Sequence, residues 1–393
     1  MGVVEGLPTE DVAEKIMAAI KNVQKNMTRL NIMVMGKTGA GKSTLINQVF
    51  SRNLALTGVG KPVTQAIRKY ELEDFPLAIY DTPGLELGGE NAIEELLKES
   101  KEVLSKGAMR GIEESIHCIW YCVSTPSHRF EEAEIEFIKK FIDETNVFCV
   151  PVIIVLTQAY SKKDARALMA EIEKENLNVV QIVPVLAQDY EIDDEYVAKA
   201  YGTDTLIDIV HNVIPEALRN TLAAVQKANL KMKKRRANAI VATAAAAAAA
   251  TGAIPIPFTD AAVLVPEQIG MIASITGVFG IPVEKATVTA LISATIGTVG
   301  TTVMGKTVVS GLLKLIPGVG SVTGGVISAS VAAALTAALG EAYIAIMVMV
   351  AKGEMNIKEI ETEEGKAKVA KIFKSKLGLK RNNKGKNLEE KED

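Results

Sequence analysis

One eight-residue segment limits the folds open to this chain more than any other feature. It fits the pattern G-x-x-x-x-G-K-[ST], and its residues are Gly36, Lys37, Thr38, Gly39, Ala40, Gly41, Lys42 and Ser43. The apolar run Leu30–Met35 precedes it, and a helix is predicted over Thr44–Phe50. Glycines let backbone N–H groups curl around an anion, and a helix start adds a positive dipole end. A strand, this loop and a helix in that order predict an α/β fold built around a phosphate-binding loop (P-loop).

The P-loop also predicts which groups would bind a nucleoside triphosphate. The backbone from Gly36 to Thr44 would surround the phosphates. Lys42 would reach the β- and γ-phosphates, and the Ser43 hydroxyl would bind Mg²⁺. The segment therefore predicts a nucleoside triphosphate as ligand and Mg²⁺ as cofactor.

Two further segments carry groups suited to the same site. An Asp-Thr-Pro-Gly motif, residues 81–84, directly follows an apolar run. Asp81 would hold Mg²⁺ through water, and the Gly84 N–H would meet the γ-phosphate. Thr64 lies in the loop before the next predicted strand and would add a second hydroxyl for Mg²⁺. Lys42, Thr64 and Gly84 are thus the residues expected to act on the γ-phosphate during hydrolysis.

The part of the chain around these motifs alternates between apolar runs and amphipathic helices. The runs are Leu30–Met35, Leu77–Tyr80, Ile116–Val123, Val147–Leu156 and Val179–Leu186. Continuous Val- and Ile-rich runs separated by helices predict a mostly parallel sheet with helices on both faces. The more mixed segment Ala66–Glu73 would pair with the second run as an edge strand. Residues 9–28 carry one apolar stripe at helical spacing and predict an N-terminal helix.

The second half of the chain has a different composition. Hydrophobic residues make up 48% of the chain and aromatic residues only 5%, and Ala, Gly, Val and Thr dominate after residue 237. We therefore predict five segments: an amphipathic helix (1–28), the P-loop domain (29–214), a connecting helix with a basic end (215–236), an apolar all-α domain (237–352), and a charged segment (353–393). In the last segment, Lys358–Lys376 would form a helix, and the residues from Gly378 onward would form a disordered tail.

The apolar domain allows two interpretations. The stretches Ala237–Thr259, Ala286–Gly305 and Leu315–Gly340 each reach the roughly 20 residues that span a bilayer. Their Ala- and Thr-rich composition lacks the Leu, Ile and Phe that favour insertion. The preferred interpretation is a compact helical bundle that associates with a membrane conditionally. The basic cluster 233–236, just before the first stretch, would contact anionic headgroups.

Residues 29–190 resemble the Era/TrmE group of small GTPases, because the P-loop, Thr64 and the Asp-Thr-Pro-Gly motif occur in that group's order and spacing. The resemblance implies a GTP-dependent switch in which two loops order around the γ-phosphate. Residues 225–350 resemble the YcjF-type domain of unknown molecular role, which is often fused to GTPases. That similarity is carried by Ile254–Asp260, Glu267–Ile272 and Leu315–Ser321, and it implies membrane association for some members.

Three positions depart from the GTPase pattern. Where the group carries Asn-Lys-x-Asp for guanine recognition, this chain has Thr157-Gln158-Ala159-Tyr160. Thr157 and Gln158 are the expected base-side residues, Asp164 is the nearest carboxylate, and guanine preference should be weakened. The apolar Leu85 stands where Ras-like proteins carry a water-orienting Gln, so hydrolysis should be slow without a partner. Gly39 replaces the Asn of potassium-activated relatives.

These observations favour a slow GTPase switch coupled to an apolar domain that engages a membrane or a protein partner. Two alternatives stay open: a mechanical protein resembling dynamin-like or immunity-related GTPases, which pairs through its GTPase domains, and an ATP-using or promiscuous P-loop protein. The formal net charge of −3 gives no indication of nucleic-acid binding. The three cysteines lack metal-site spacing and are expected to be buried, reduced thiols. We expect a cytoplasmic protein, in solution or at the cytoplasmic face of a membrane.

Overall fold

The chain divides into two compact units, Met27–Asn229 and Leu230–Asp393 with Met1–Asn26. The computed structural model describes residues 9–50, 67–72, 75–84, 90–127, 131–192, 195–252, 265–300 and 329–389. The N-terminal helix, α1 (Thr9–Lys25), groups with the helical second half of the chain rather than with the P-loop domain that follows it.

A six-stranded sheet forms the centre of the first unit. Its strands are β1 (Leu30–Met35), β2 (Arg68–Leu72), β3 (Phe75–Asp81), β4 (Cys118–Ser124), β5 (Val152–Thr157) and β6 (Gln181–Pro184). They lie in the order β2-β3-β1-β4-β5-β6. Only β2 is antiparallel to its neighbour, β3. The structure therefore confirms the predicted α/β fold with a mostly parallel sheet and an antiparallel edge strand.

Helices cover both faces of this sheet, which explains why its central strands β1, β4 and β5 are apolar and buried along nearly their whole length. The helices are α2 (Lys42–Val49), α3 (Glu90–Arg110), α4 (Glu132–Thr145), α5 (Lys162–Lys174), α6 (Thr203–Val213) and α7 (Arg219–Val225). On one face, Tyr121 packs in a core cluster with residues of α3, α4 and α5. Its neighbour Trp120 points to the other face, because successive side chains of a strand alternate. There it stacks on Phe50, after α2, with ring centroids 5.8 Å apart.

The structure corrects two sequence predictions next to β5. Residues 146–148 form a 3₁₀ turn and Cys149 has a φ of 51°, so the strand begins at Val152 instead of Val147. Val147 is 78% exposed, which shows that an apolar residue alone does not extend a strand. The prediction that all three cysteines are buried was also wrong. Cys118 and Cys122 are buried, and burial raises the pKa of each thiol to about 12, but Cys149 is exposed.

The predicted continuous helix over 215–236 is interrupted. A 3₁₀ turn at Glu216–Leu218 and helix α7 come first, and α8 (Leu230–Gly252) begins after a break. The side chain of Gln226 accepts a hydrogen bond from the Asn229 N–H at 2.7 Å and donates to the Asn229 carbonyl at 3.1 Å. A buried side chain that binds nearby backbone groups competes with the helix for them, and this explains the break.

The second unit is helical throughout its described residues. Besides α1 and α8 it contains α9 (Val265–Phe279), α10 (Lys285–Gly300), α11 (Ala329–Ala351) and α12 (Glu363–Glu389). The close approach of α11 to α8 and α9 depends on Gly340, because a Cβ there would overlap Val241 and lie 2.8 Å from the Met271 sulfur. Helix α12 continues to Glu389, so the predicted disordered tail from Gly378 was wrong. The Leu, Lys and Glu residues of this segment favour a helix despite its glycines.

One helix among the described residues, at Ala332–Ala351, is long and apolar enough to cross a membrane by length and composition. It overlaps the end of the third predicted stretch, and 53% of it is buried inside the protein. A buried core helix of a soluble protein meets the same criteria. The described parts of the first two predicted stretches lie in α8 and α10, and neither helix meets these criteria of length and composition within its described residues.

Fewer side chains of the basic cluster 233–236 are exposed than the sequence indicates. Lys233 is buried, and its Nζ donates to the carbonyls of Val278 at 3.2 Å and Phe279 at 2.6 Å, at the end of α9. Burial lowers the pKa of Lys233 to about 7. The prediction that Lys233 contacts headgroups was therefore wrong, whereas Lys234 and Arg235 are exposed.

Candidate nucleotide site

The P-loop connects the end of β1 to the start of α2, as predicted. Gly41 has a φ of 75° and caps α2, and its left-handed conformation favours glycine. Gly36 has a φ of 131°, and a Cβ there would overlap the Cys122 carbonyl of the neighbouring strand. The loop is thus pressed against the sheet and opens into the start of a helix, an arrangement that presents N–H groups to an anion.

Lys42 lies across this loop. Its Nζ donates to the carbonyls of Gly36 at 2.8 Å and Lys37 at 3.0 Å. Both acceptors belong to the P-loop, so the ammonium group lies over the same backbone that would bind phosphates. Ser43 and Thr44 follow in the first turn of α2 and are half-buried.

The Asp-Thr-Pro-Gly motif meets the P-loop at the end of β3. The Thr82 N–H donates to the Val34 carbonyl at 3.1 Å, which continues the pairing of β3 with β1. At Gly84, a Cβ would overlap the Thr38 hydroxyl and lie 2.7 Å from the Thr38 backbone nitrogen. Gly84 is therefore in close contact with the P-loop, as its predicted role at the γ-phosphate requires.

Asp81 has the features of a cation ligand. Its Oδ1 is buried and has no hydrogen-bond partner among the described residues. Burial raises the pKa of this carboxyl group, and the positive charge of Lys42 opposes the rise. A buried oxygen without a donor is costly unless a cation or another group satisfies it. The described residues hold no cluster of three His, Cys, Asp or Glu for a metal. One carboxylate with phosphate and hydroxyl oxygens suits Mg²⁺, so Asp81 and Ser43 fit its predicted site.

One P-loop side chain has a partner that the sequence did not reveal. Lys37 forms ion pairs with Glu131 and Glu134 at the start of α4, both at 2.9 Å. Burial would lower the pKa of Lys37, but the two carboxylates outweigh it and raise that pKa. The Lys37 side chain is therefore directed to α4, and its backbone remains the part placed to contact phosphate.

The expected base-side residues contact the P-loop backbone. The Thr157 hydroxyl lies 2.6 Å from the Ala40 carbonyl and 3.1 Å from the Val123 carbonyl. Gln158 donates through Nε2 to the Gly39 carbonyl at 3.0 Å, and its Oε1 accepts from Ser124 at 2.9 Å. These two side chains thus hold the loop in place. Thr64 and Leu85, predicted at the γ-phosphate side, lie outside the described residues.

A cavity of about 200 Å³ adjoins the P-loop on this side. Its lining combines the start of α2 with the segments that follow β5 and β6, and consists of Gly41, Thr44, Leu45, Thr157, Gln158, Tyr160, Val185, Leu186, Ala187, Gln188 and Tyr190. In a parallel α/β sheet, ligands bind at the carboxyl ends of the strands, where this cavity lies. The sequence indicated the segment after β5 but assigned no contacts to the segment after β6.

Comparisons with known proteins agree with this geometry. The family model described as 50S ribosome-binding GTPase matches residues 31–158, and the model described as Domain of unknown function (DUF697) matches residues 217–377. Septin-1 of Drosophila melanogaster is 29% identical over 199 residues, covering 45% of this chain and 54% of the septin. Cell division control protein 10 of Candida albicans is 28% identical over 193 residues, covering 42% and 54%. The chain thus spans about half the length of the curated relatives it matches.

The solved structures that this chain matches include Era from Aquifex aeolicus with GDP and aluminium fluoride, 20% identical with a TM-score of 0.36, covering 55% of this chain and 68% of Era. Toc33 from Arabidopsis thaliana with Mg²⁺ and GMPPNP is 19% identical with a TM-score of 0.31, covering 54% of this chain and 92% of Toc33. The two family models and the sheet topology establish that this chain joins a GTPase domain of the 50S ribosome-binding GTPase type to a C-terminal helical DUF697 domain.

Proposed function

We propose that this protein is a Mg²⁺-dependent GTP-binding switch that hydrolyses its nucleotide slowly and passes the nucleotide state to its helical unit. The observation that carries the proposal is the meeting of three groups at one loop. Lys42 bonds to the P-loop carbonyls, Gly84 contacts Thr38, and Asp81 offers a buried oxygen to which no described residue donates. These are the groups that bind, sense and neutralise a γ-phosphate.

The same residues support a modest hydrolase activity. When bound, Mg²⁺ would neutralise charge on the β- and γ-phosphate oxygens. Lys42 would stabilise the charge that develops on the transferred phosphoryl group, and the Gly84 N–H would hold one γ-oxygen. Catalysis of this kind consists of positioning and electrostatics. Because the sequence offers an apolar Leu85 where a water-orienting residue would stand, we infer a slow intrinsic rate.

A short hydrogen-bonded path supports coupling to the helical unit. Helix α2 begins at Lys42, in the P-loop, and the residue after it, Phe50, forms an antiparallel bridge with Gln226. The Val49 carbonyl accepts from the Lys227 N–H at 2.8 Å. Gln226 in turn binds both backbone groups of Asn229, the last residue of the first unit. A shift of α2 on nucleotide exchange would therefore be applied to the segment that leads directly into α8.

The start of α8 supports a membrane as the partner. Lys231, Lys234 and Arg235 are exposed there, and an alanine-rich segment follows them. Each basic residue near an anionic surface contributes about 1 kcal/mol, so three give a weak, reversible attachment. Such attachment weakens with salt, because the Debye length falls from about 10 Å at 0.1 M to about 3 Å at 1 M.

The test is flotation of the full-length protein with anionic liposomes, with GDP or a non-hydrolysable GTP analogue, at low and high salt. We expect the bound fraction to differ between the two nucleotides and to fall at high salt. In Gln226→Leu the nucleotide difference should disappear, while calorimetry shows unchanged nucleotide affinity. Protein that stays in solution under every condition would contradict membrane attachment, and protein that needs detergent throughout would contradict its reversibility.

A further inference from the structure

We infer that the cavity beside the P-loop binds the nucleobase through neutral groups only, with Tyr160 at the selectivity-determining position, so that the site accepts hypoxanthine and adenine nucleotides as well as guanine nucleotides. This inference rests on the proposed function, in which the P-loop holds the triphosphate. It adds the class of nucleotide that the same site accepts.

The lining of the cavity contains no charged side chain among the described residues. The carboxylates nearest in sequence are engaged or lie elsewhere. Asp189, next to Gln188, accepts from the Lys199 Nζ and the Ala200 N–H, both at 2.8 Å. Asp164 lies in the first turn of α5, where its N–H binds the Ser161 hydroxyl, and it does not line the cavity. No carboxylate of the described residues therefore lines the cavity, and Glu191, which follows Tyr190, is exposed outside that lining.

The polar groups after β5 are also committed. The amide of Gln158 donates to Gly39 and accepts from Ser124, so both of its ends are used. The backbone of Gln158 has a φ of 52°, and the two hydrogen bonds hold its side chain against the P-loop. The single hydroxyl hydrogen of Thr157 is directed to the P-loop or β4 carbonyls. Both residues position the loop and leave base recognition to other groups.

Tyr160 and Tyr190 form the aromatic part of the lining. Their ring centroids lie 4.1 Å apart with an interplanar angle of 34°. Burial raises the pKa of the Tyr160 phenol, so it stays neutral at physiological pH. The segment is anchored because the Tyr201 hydroxyl donates to the Ala159 carbonyl at 2.9 Å. Rings this close pack face to face and form one aromatic surface on the lining, and stacking of a purine on such a surface does not distinguish one purine from another.

The other polar side chains on the lining are the Thr44 hydroxyl, the two phenols and the Gln188 amide, whose Oε1 accepts from the Gln48 Nε2 at 3.5 Å. The adjacent N1–H and N2–H groups of guanine are two parallel donors, and only a carboxylate accepts both with charge assistance. A phenol or an amide accepts one of them and can equally donate to adenine N1. Charge-assisted hydrogen bonds are roughly twice as strong as neutral ones, so their absence removes most discrimination by the 2-amino group.

The test measures affinities of the full chain for the Mg²⁺ complexes of the β,γ-imido analogues of GTP, ITP and ATP by calorimetry. ITP differs from GTP only by the 2-amino group. We expect GTP to bind less than about tenfold more tightly than ITP, because no bond to that group is charge-assisted. Tyr160→Asp should raise this ratio by about tenfold or more. Tyr160→Asn, which introduces the uncharged isostere of Asp, and Asp164→Ala, at a residue outside the cavity lining, should leave it unchanged.

A wild-type preference for GTP over ITP of tenfold or more would overturn the inference, as would equal ratios in Tyr160→Asp and Tyr160→Asn. The wild-type ratio is decisive even where a variant does not fold. Failure to bind any of the three analogues would instead contradict the proposed function, so the two failures are distinguishable.

Discussion

The two units of this chain differ in where their polar groups lie and in how those groups are hydrogen-bonded. In the P-loop unit, polar groups gather at the carboxyl ends of the strands, and the Asp81 Oδ1 is left without a partner among the described residues. In the helical unit, several buried polar groups pair with one another. Tyr343 binds Thr276 at 2.8 Å, and Thr287 binds Glu361 at 2.7 Å. The polar groups suited to binding phosphate thus gather in the first unit, whereas these contacts of the second join helices, and the Glu267 Oε2 is its one buried side-chain oxygen without a partner among the described residues.

The largest effect that would sharpen this comparison is expected at the Mg²⁺ site. Ser43→Ala removes the proposed hydroxyl ligand of Mg²⁺ from the first unit. Loss of an outer-shell partner of a metal lowers affinity by roughly 10- to 100-fold, so affinity for the Mg²⁺ complex of a GTP analogue should fall by at least that much. The free energy of unfolding should change little. Calorimetric titrations in Mg²⁺ and in EDTA measure the nucleotide affinity with and without the cation. Equal Mg²⁺ dependence in wild type and variant would place the cation elsewhere.

A second effect belongs to the helical unit alone. Gly340→Ala introduces a Cβ that overlaps Val241, so we expect a loss of about 1–3 kcal/mol in the free energy of unfolding of this unit. Gly270→Ala is the matched control. It lies on an exposed helical position with nothing within 4 Å, and should be neutral or stabilising by up to about 1 kcal/mol. Denaturant unfolding checks the pair, and neither variant should alter nucleotide affinity. Equal stability of the two would contradict the close helix packing.

The third effect concerns pH, and it is the smallest over a single pH unit. Burial lowers the pKa of Lys233 to about 7 from 10.5, so between these values the unfolded chain binds a proton that the folded chain lacks. The free energy of unfolding should therefore rise with pH across this window, by at most about 1.4 kcal/mol per pH unit from this group. Lys233→Met should flatten the rise. Identical pH profiles would show that Lys233 stays charged among the α9 carbonyls.

The sequence was sufficient for features that depend on local patterns. The glycines of the P-loop and the run Leu30–Met35 predicted the loop between β1 and α2, because strand and helix periodicities are local signals. The ion pair of Lys37 with Glu134 joins residues far apart in the chain and has no local signal. The break at Gln226 could not be predicted either, since it depends on a side chain that binds backbone only after the fold brings them together.

The side chains around the cavity beside the P-loop could likewise be predicted only in part from the sequence. The motif comparison revealed that a carboxylate is missing after β5, but it suggested Thr157 and Gln158 as base contacts. In the structure both side chains bond to the P-loop while also lining the cavity, and Tyr190 and Gln188 join that lining from the segment after β6. Which side chains remain available to a ligand depends on which are already hydrogen-bonded, and sequence spacing does not contain that information.

The central claim is that the P-loop unit binds a Mg²⁺-triphosphate, and calorimetric titration of the wild type and Lys42→Ala with a non-hydrolysable GTP analogue tests it most directly. We predict one bound nucleotide per wild-type chain. In Lys42→Ala the affinity should fall at least about 100-fold, because two charge-assisted hydrogen bonds to phosphate are lost at about 1.5–3 kcal/mol each. Circular dichroism should show that the variant is folded. Undiminished binding by folded Lys42→Ala would contradict the claim.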